Sequence, residues 1–241
     1  MTKLETLELR FNDGVAWVEF SALAYNTQVL RDVNTALDSI LANEEAKCVV
    51  FICSSPRVFS TGLDFESLVT GIHDTTVFIA EFSGMLGRIL SFPLPTICAI
   101  NGHCVAGGVM FAMASDYRIA LKGRFTFEMR EIHMGMGMPR YMLATVVAKL
   151  GPKALRDVAL FGTSLPQDKC VEFGVFDELV EGKEQFLEAV TKKAKELSAI
   201  GDKRDAIKAI KVALYRDLIK DTTITFETYS NITIKNLIPK M

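Results

Sequence analysis

Two short runs of continuously apolar residues constrain the fold of this chain most strongly. "CVVFICSS" at 48–55 and "LPTICAIN" at 94–101 are rich in β-branched residues and lack polar alternation, which predicts strands covered on both faces. Amphipathic helical sequence precedes the first run, because apolar residues recur at intervals of three and four from Thr27 onward. Strands that alternate with helices predict an α/β fold with a largely parallel sheet.

The remaining elements extend this pattern along one chain of 241 residues. "LETLELRFNDGVAWVEF" alternates apolar and polar residues around Asn12-Asp13-Gly14, which predicts a hairpin. "YMLATVVAKLG" and "PKALRDVALFG" predict helices that end at Gly151 and Gly162. The segment "DAIKAIKVALYRDLI" is clearly amphipathic. We predict a core at residues 1–195 and a C-terminal helical region at 196–241.

Composition and charge narrow the functional classes. The net charge of −2 provides no basic field that would recruit nucleic acid or an anionic membrane. No stretch reaches the roughly 18 apolar residues of a membrane span. We therefore expect neither nucleic acid nor a membrane as a partner.

Cysteine spacing and the C-terminus bear on metal binding and compartment. The five cysteines are odd in number, lie mostly in apolar runs and lack the C-x-x-C spacing of a zinc site, so we predict buried, reduced thiols and no metal. The last residues, Pro239-Lys240-Met241, resemble a loose variant of the S-K-L peroxisomal address. They predict a peroxisomal protein, and the alternative is an arbitrary tail on a cytoplasmic one.

Two glycine-containing loops follow predicted strands. Ser60-Thr61-Gly62 comes after the first covered strand, and Ala106-Gly107-Gly108 comes after the second. Ligands of open α/β sheets bind beyond the carboxyl ends of strands, and backbone N–H groups at a helix start have no partner within the helix. One N–H from each loop could form an oxyanion hole. Alternatively, the glycine pair only allows a helix to pack closely on the sheet.

Together the two motifs resemble the crotonase superfamily, also called the enoyl-CoA hydratase/isomerase family. "FSTGLDFESL" and "PTICAINGHCVAGGVMFAMASDYRIA" are similar to its two loop segments, and "LFGTSLPQDKCVEFGVFDELV" is similar to a later one. The resemblance runs from about Leu7 to about Val180. It implies a crotonase-like spiral of ββα repeats, a C-terminal helical region used in trimer assembly (a homotrimer or a dimer of trimers), and acyl-CoA thioester substrates.

The resemblance also implies roles for particular residues. The oxyanion donors would be the backbone N–H groups of Thr61 and Gly107. Further positions match the family's CoA- and substrate-binding cleft: Ala22, Ala24, Ser60, Gly62, Leu63, Asp64 and Met110.

The acids in these segments determine which reaction the resemblance implies. Hydratases of the family use two glutamates, and Met110 occupies the position of the first. A thioether neither holds an attacking water nor transfers a proton. Glu131, in "FEMREIHMGMGMP", occupies the position of the second and resembles the catalytic glutamate of the family's Δ3,Δ2-enoyl-CoA isomerases, especially the peroxisomal type. Glu128 is expected to face solvent, because an odd offset in extended chain points to the opposite face.

The sequence thus predicts a Δ3,Δ2-enoyl-CoA isomerase with one glutamate as its proton shuttle. CoA would be part of the substrate, and no separate cofactor is expected. One alternative is a hydratase or another crotonase-type thioester reaction. A second alternative is a non-catalytic acyl-CoA-binding protein.

Overall fold

The computed structural model describes residues 1–64, 68 and 72–222. A seven-stranded sheet forms the centre. In order across the sheet, its strands are β1 (Thr2–Lys3), β2 (Leu7–Asn12), β3 (Val15–Phe20), β5 (Cys48–Cys53), β8 (Thr96–Ile100), β10 (Tyr117–Leu121) and β12 (Glu178–Val180). The first three strands pair antiparallel, and the pairs from β3 onward are parallel. The hairpin and the largely parallel sheet are confirmed.

Two smaller sheets flank the large one. β6 (Val58–Ser60), β9 (His103–Val105) and β11 (Phe127–Glu128) form a parallel three-stranded sheet, while β4 (Ala24–Tyr25) pairs with β7 (Gly62–Leu63). Each of β3, β5, β8 and β10 is followed by a short strand of these sheets and then by a helix. This repeated ββα order is the predicted spiral.

Helices cover both faces of the large sheet. They are α1 (Thr27–Ala42), α2 (Ile72–Leu90), α3 (Gly107–Ala114), α4 (Arg140–Lys149), α5 (Pro152–Leu155), α6 (Gln167–Glu172), α7 (Lys183–Ser198) and α8 (Arg204–Thr222). Asn26 caps α1 by accepting a hydrogen bond from the Val29 N–H at 3.0 Å. None of the helices in the described residues combines the length and apolarity that a bilayer crossing requires.

The position of strand β5 between two helical layers explains why its sequence is apolar throughout. Val49, Phe51 and Cys53 belong to the main core, which α1, α2 and α3 cover. Cys48, Val50 and Ile52 point to the opposite face and pack with α7. Because side chains alternate along a strand, a strand between two helical layers needs apolar residues at every position.

The described cysteines are free and buried, as predicted. One predicted helix has a different geometry, because α5 continues as a π-helical turn, Arg156–Leu160, rather than as α-helix. The predicted boundary at 195/196 falls inside α7 and stays a prediction. Pro239-Lys240-Met241 lies outside the described residues.

Helix α8 is fastened to the core by a buried ion pair. The Lys211 Nζ atom donates to Asp116 Oδ2 at 2.5 Å and to the Leu94 carbonyl oxygen at 2.8 Å. Asp116 Oδ2 also accepts from the N–H and hydroxyl of Thr96 at 2.9 and 3.0 Å. Asp116 is therefore a structural acid in an ion pair.

Candidate active site

The loop between β6 and β7 contains the first predicted oxyanion donor. The Thr61 N–H donates to the Leu23 carbonyl oxygen at 2.8 Å, and the Thr61 hydroxyl donates to the same oxygen at 3.2 Å. An N–H that is already bonded to a carbonyl cannot also be held ready for a substrate oxygen. The prediction that Thr61 supplies an oxyanion donor is therefore wrong.

The backbone N–H of Leu63, two residues later, is not bonded to the neighbouring strand, in contrast to that of Thr61. Leu63 faces Tyr25 in the parallel pair β4–β7, and the Asp64 N–H donates to the Tyr25 carbonyl oxygen at 2.8 Å. In such a ladder the facing residue turns its own N–H away from the neighbouring strand. A Cβ atom built on Gly107 would lie 3.2 Å from the Leu63 nitrogen. The Leu63 N–H is thus beside the start of α3.

The predicted second donor, Gly107, begins helix α3. Its N–H belongs to the first helical turn, where no intrahelical acceptor exists, and within the described residues it has no bonded acceptor. Ala106 precedes it with φ 52° and ψ −120°, a conformation that costs an alanine roughly 1–3 kcal/mol. The strained turn directs the chain from β9 into α3. Gly107 accordingly has the unbonded N–H that the prediction needs.

Gly62 determines how closely the two loops approach each other. Its φ is +94°, and a Cβ atom on it would lie 3.0 Å from the Gly107 nitrogen, the Ala106 Cβ and the Val105 oxygen. A side chain here would therefore be strained and would also push the loops apart.

We expect Gly62→Ala to lower the free energy of unfolding by about 2–5 kcal/mol, since left-handed strain and overpacking add. Urea unfolding followed by circular dichroism measures it. Gly174→Ala is the matched control, because φ is +70° at Gly174 but nothing lies within 4 Å of the added Cβ. It should cost only the conformational part, about 1–2 kcal/mol. Equal losses in the two variants would show that loop contact at Gly62 is unimportant.

Backbone pairing brings Glu131 to the same end of the molecule. Glu128 of β11 faces Val105 of β9, and the Ala106 N–H donates to the Glu128 carbonyl oxygen at 2.9 Å. Three residues later a 3₁₀ turn, Glu131–Met134, ends at Gly135 with φ 68°. Glu131 therefore starts a tight turn that follows directly from the strand bonded to Ala106.

The Glu131 carboxyl group is buried and incompletely paired. The residue is 6% exposed, and among the described residues its Oε2 atom has no hydrogen-bond partner. Burial raises the pKa of Glu131 above the ordinary value of 4.5, and a hydrogen bond from its own backbone N–H opposes the shift. A desolvated carboxylate with a free oxygen is typical of a general base.

Glu128 differs from its prediction. It is 8% exposed rather than solvated, and its Oε1 accepts a hydrogen bond from Arg130 Nε. The offset argument failed because regular strand ends at Glu128 and a 3₁₀ turn begins at Glu131, so the alternation of faces does not extend between them. The arginine compensates the Glu128 charge, whereas Glu131 has no such cation among its described contacts.

Some of the other residues predicted to bind CoA or substrate are buried, and the rest are partly exposed. Met110 is fully buried in α3, and its carbonyl oxygen accepts from the Thr145 hydroxyl at 2.8 Å. Ser60 and Gly62 are also buried, and their assignment as CoA contacts stays a prediction. The remaining positions are partly exposed and stay predicted CoA contacts: Ala22, Ala24, Leu63 and Asp64.

His103 has a structural role. Its Nδ1 atom accepts from the Thr126 N–H at 3.0 Å, and its ring contacts Phe125 edge-to-face. His103 is thus a hydrogen-bonded histidine near the glycine loop.

Comparisons with known proteins agree with this geometry. The family model described as "Enoyl-CoA hydratase/isomerase" matches residues 10–236. The chain is 28% identical over 207 residues to enoyl-CoA delta isomerase 3 of Arabidopsis thaliana, covering 83% of this chain and 87% of the relative. It is 25% identical over 209 residues to the peroxisomal enoyl-CoA delta isomerase 1 of the same plant, covering 86% and 87%.

A solved structure shares the fold. A crystal structure of an enoyl-CoA hydratase/isomerase family protein from Pseudomonas syringae superposes with a TM-score of 0.85 at 24% identity, covering 93% of this chain and 96% of that one. With the family model spanning nearly the whole sequence, the chain belongs to the enoyl-CoA hydratase/isomerase family.

Proposed function

We propose that this protein is a Δ3,Δ2-enoyl-CoA isomerase that uses Glu131 as its only proton shuttle. The observation that carries the proposal is the buried Glu131 carboxylate, whose Oε2 has no partner among the described residues. Glu131 follows by three residues the Glu128 carbonyl that accepts from the Ala106 N–H, next to Gly107. The isomerase names of the Arabidopsis relatives support the same reaction.

The reaction needs two groups of the protein. The N–H groups of Leu63 and Gly107 would donate to the thioester carbonyl oxygen, which makes the C2 protons of a 3-enoyl-CoA more acidic. Glu131 would remove one C2 proton, and the electron pair of that C–H bond would form a dienolate. The protonated Glu131 would return the proton at C4, leaving the double bond between C2 and C3. Only a proton moves, so the step requires no metal or redox cofactor.

The expected contributions of the two amide donors and of the Glu131 base are both large. Loss of one oxyanion donor typically costs about 3–4 kcal/mol of transition-state stabilisation, and a positioned base contributes roughly 10²–10⁴-fold. Apolar surroundings strengthen both effects by excluding water.

Met110 argues against hydration. Adding water across a double bond requires a group that holds the attacking water opposite the proton donor. The fully buried thioether of Met110 cannot do this. Among the described residues, Glu128 favours hydration, since it is a second buried carboxylate three residues from Glu131. Its Oε1 atom, however, is occupied by the ion pair with Arg130.

Two further properties belong to the proposal. We propose assembly as a homotrimer or a dimer of trimers and action in fatty-acid oxidation within the peroxisome. The peroxisomal name of one relative supports the compartment.

Two substrates distinguish the candidate functions. With trans-3-hexenoyl-CoA we expect the absorbance of the conjugated enoyl thioester to appear. With crotonyl-CoA we expect no loss of that absorbance. Loss of crotonyl-CoA absorbance would identify a hydratase. Absence of both signals, together with acyl-CoA binding measured by calorimetry, would identify a non-catalytic binder.

A further inference from the structure

Ser60 lies between the two loops that supply the amide donors. It is 2% exposed, and its Oγ atom accepts a hydrogen bond from the Gly62 N–H at 3.1 Å. Gly62 has φ +94° and immediately precedes Leu63. The Ser60 hydroxyl therefore restrains the peptide that orients the Leu63 N–H.

The other side of Ser60 contacts the first turn of α3. A Cβ atom built on Gly108 would lie 2.9 Å from Ser60 Cβ and 3.1 Å from the Ser60 carbonyl oxygen. Gly108 follows Gly107, so Ser60 is packed directly against the helix start that carries the second donor. One buried residue thus contacts both donor elements.

Tyr25 holds the far end of the same Gly62–Leu63 segment and is anchored in the core. Its ring stacks on Phe111 with centroids 5.4 Å apart and contacts Phe82 at 5.7 Å. Burial raises the pKa of Tyr25 well above its ordinary value, and the neighbouring Ser60 side chain opposes this shift. Its carbonyl oxygen accepts from the Asp64 N–H, on the far side of Leu63. Tyr25 and Ser60 therefore fix the Gly62–Leu63 segment at both ends.

We infer that Ser60 is a positioning residue that sets the angle between the Leu63 and Gly107 N–H groups and thereby the polarisation of the bound thioester carbonyl. This inference rests on the proposed function. The reason is geometric: oxyanion donors act only within a narrow range of distance and direction, and misplacement by about 1 Å can cost about 10²-fold in rate. The Ser60 and Tyr25 side chains are both buried, so their influence would pass through the backbone.

The test uses a spectroscopic probe of the carbonyl. trans,trans-2,4-Hexadienoyl-CoA is conjugated with its thioester, so its absorbance shifts to longer wavelength when donors polarise the carbonyl oxygen. We expect a red shift with the wild-type protein and a smaller one with Ser60→Ala. Turnover of trans-3-hexenoyl-CoA by Ser60→Ala should fall ~10–100-fold in kcat, with KM within a few-fold.

Tyr25→Phe provides a second variant, because it removes one hydroxyl and keeps the ring packing. It should reduce the red shift in the same direction as Ser60→Ala. Thr145→Val is the matched control: its buried hydroxyl donates to the Met110 carbonyl oxygen at 2.8 Å, on the same helix α3 but outside the donor loop. It should leave the red shift unchanged even if it lowers the melting temperature.

The outcomes distinguish a failure of the positioning role of Ser60 from a failure of the proposed amide pair. A wild-type red shift that persists in full in Ser60→Ala and Tyr25→Phe overturns the positioning role and leaves the isomerase proposal standing. A wild-type protein that binds the probe without a red shift overturns the amide pair itself. A reduced shift in Thr145→Val equal to that of Ser60→Ala would mean that any loss of a buried hydroxyl disturbs the site, which also overturns the specific role.

Discussion

Glu131→Gln is expected to lower kcat for trans-3-hexenoyl-CoA by roughly 10²–10⁴-fold while acyl-CoA affinity stays within a few-fold. Glutamine keeps the shape of the side chain but cannot accept the C2 proton. Steady-state kinetics and calorimetric titration with a substrate analogue measure the two effects separately. Because burial raises the pKa of Glu131, the charged carboxylate costs folding free energy above that pKa. The variant should therefore melt no lower than the wild type at pH 7.

Glu128→Gln is the matched control, since it places the same substitution on a buried glutamate three residues away. We expect its kcat to stay within a few-fold of the wild-type value. Full activity in Glu131→Gln, or an equal loss in Glu128→Gln, would remove Glu131 from its role as sole shuttle.

The pH profile of kcat/KM supplies an independent check on Glu131. The base must be deprotonated, so activity is present above its pKa and lost as pH falls through it. Because burial raises this pKa, the acid limb should lie above the ordinary glutamate value of 4.5. An acid limb at or below 4.5 would be inconsistent with the buried carboxylate as base.

The second large effect concerns stability. Asp116→Ala is expected to lower the free energy of unfolding by about 3–5 kcal/mol, because it leaves the Lys211 ammonium buried without its counter-ion. Lys211 is 7% exposed, and its pKa is already lowered by burial against the opposing effect of Asp116. Urea unfolding at pH 7 measures the change. Thr96 would lose the acceptor of its N–H as well.

An exposed pair provides the comparison. Glu172 pairs with Lys169, and both side chains are more than half exposed. Glu172→Ala should change stability by less than about 1 kcal/mol, since solvent screens such pairs. If Asp116→Ala costs no more than Glu172→Ala, the buried pair does not hold α8 on the core.

The sequence predicts more of the fold than of the candidate active site. The covered strands and the first hairpin follow from local pattern, because β5 needs apolar residues on both faces and Asn12-Asp13-Gly14 favours a tight turn. Glu131 and Gly107 came from motif resemblance, which identifies positions along the chain. Neither approach identified the Leu63 N–H, which we propose as the other donor. This N–H is free, and that of Thr61 is not, only because β7 pairs with β4 in one particular register.

By itself, the sequence of this protein determined the order of strands and helices, the two glycine loops and the absence of a carboxylate at position 110. These properties depend on residue type and local spacing. Tertiary structure alone decided which amide remains unbonded, which of two nearby glutamates keeps a free oxygen, and what holds the donor loop. Those properties depend on contacts between segments distant in sequence, since a backbone group or carboxylate becomes reactive only when the surrounding chain leaves it unpaired and dry.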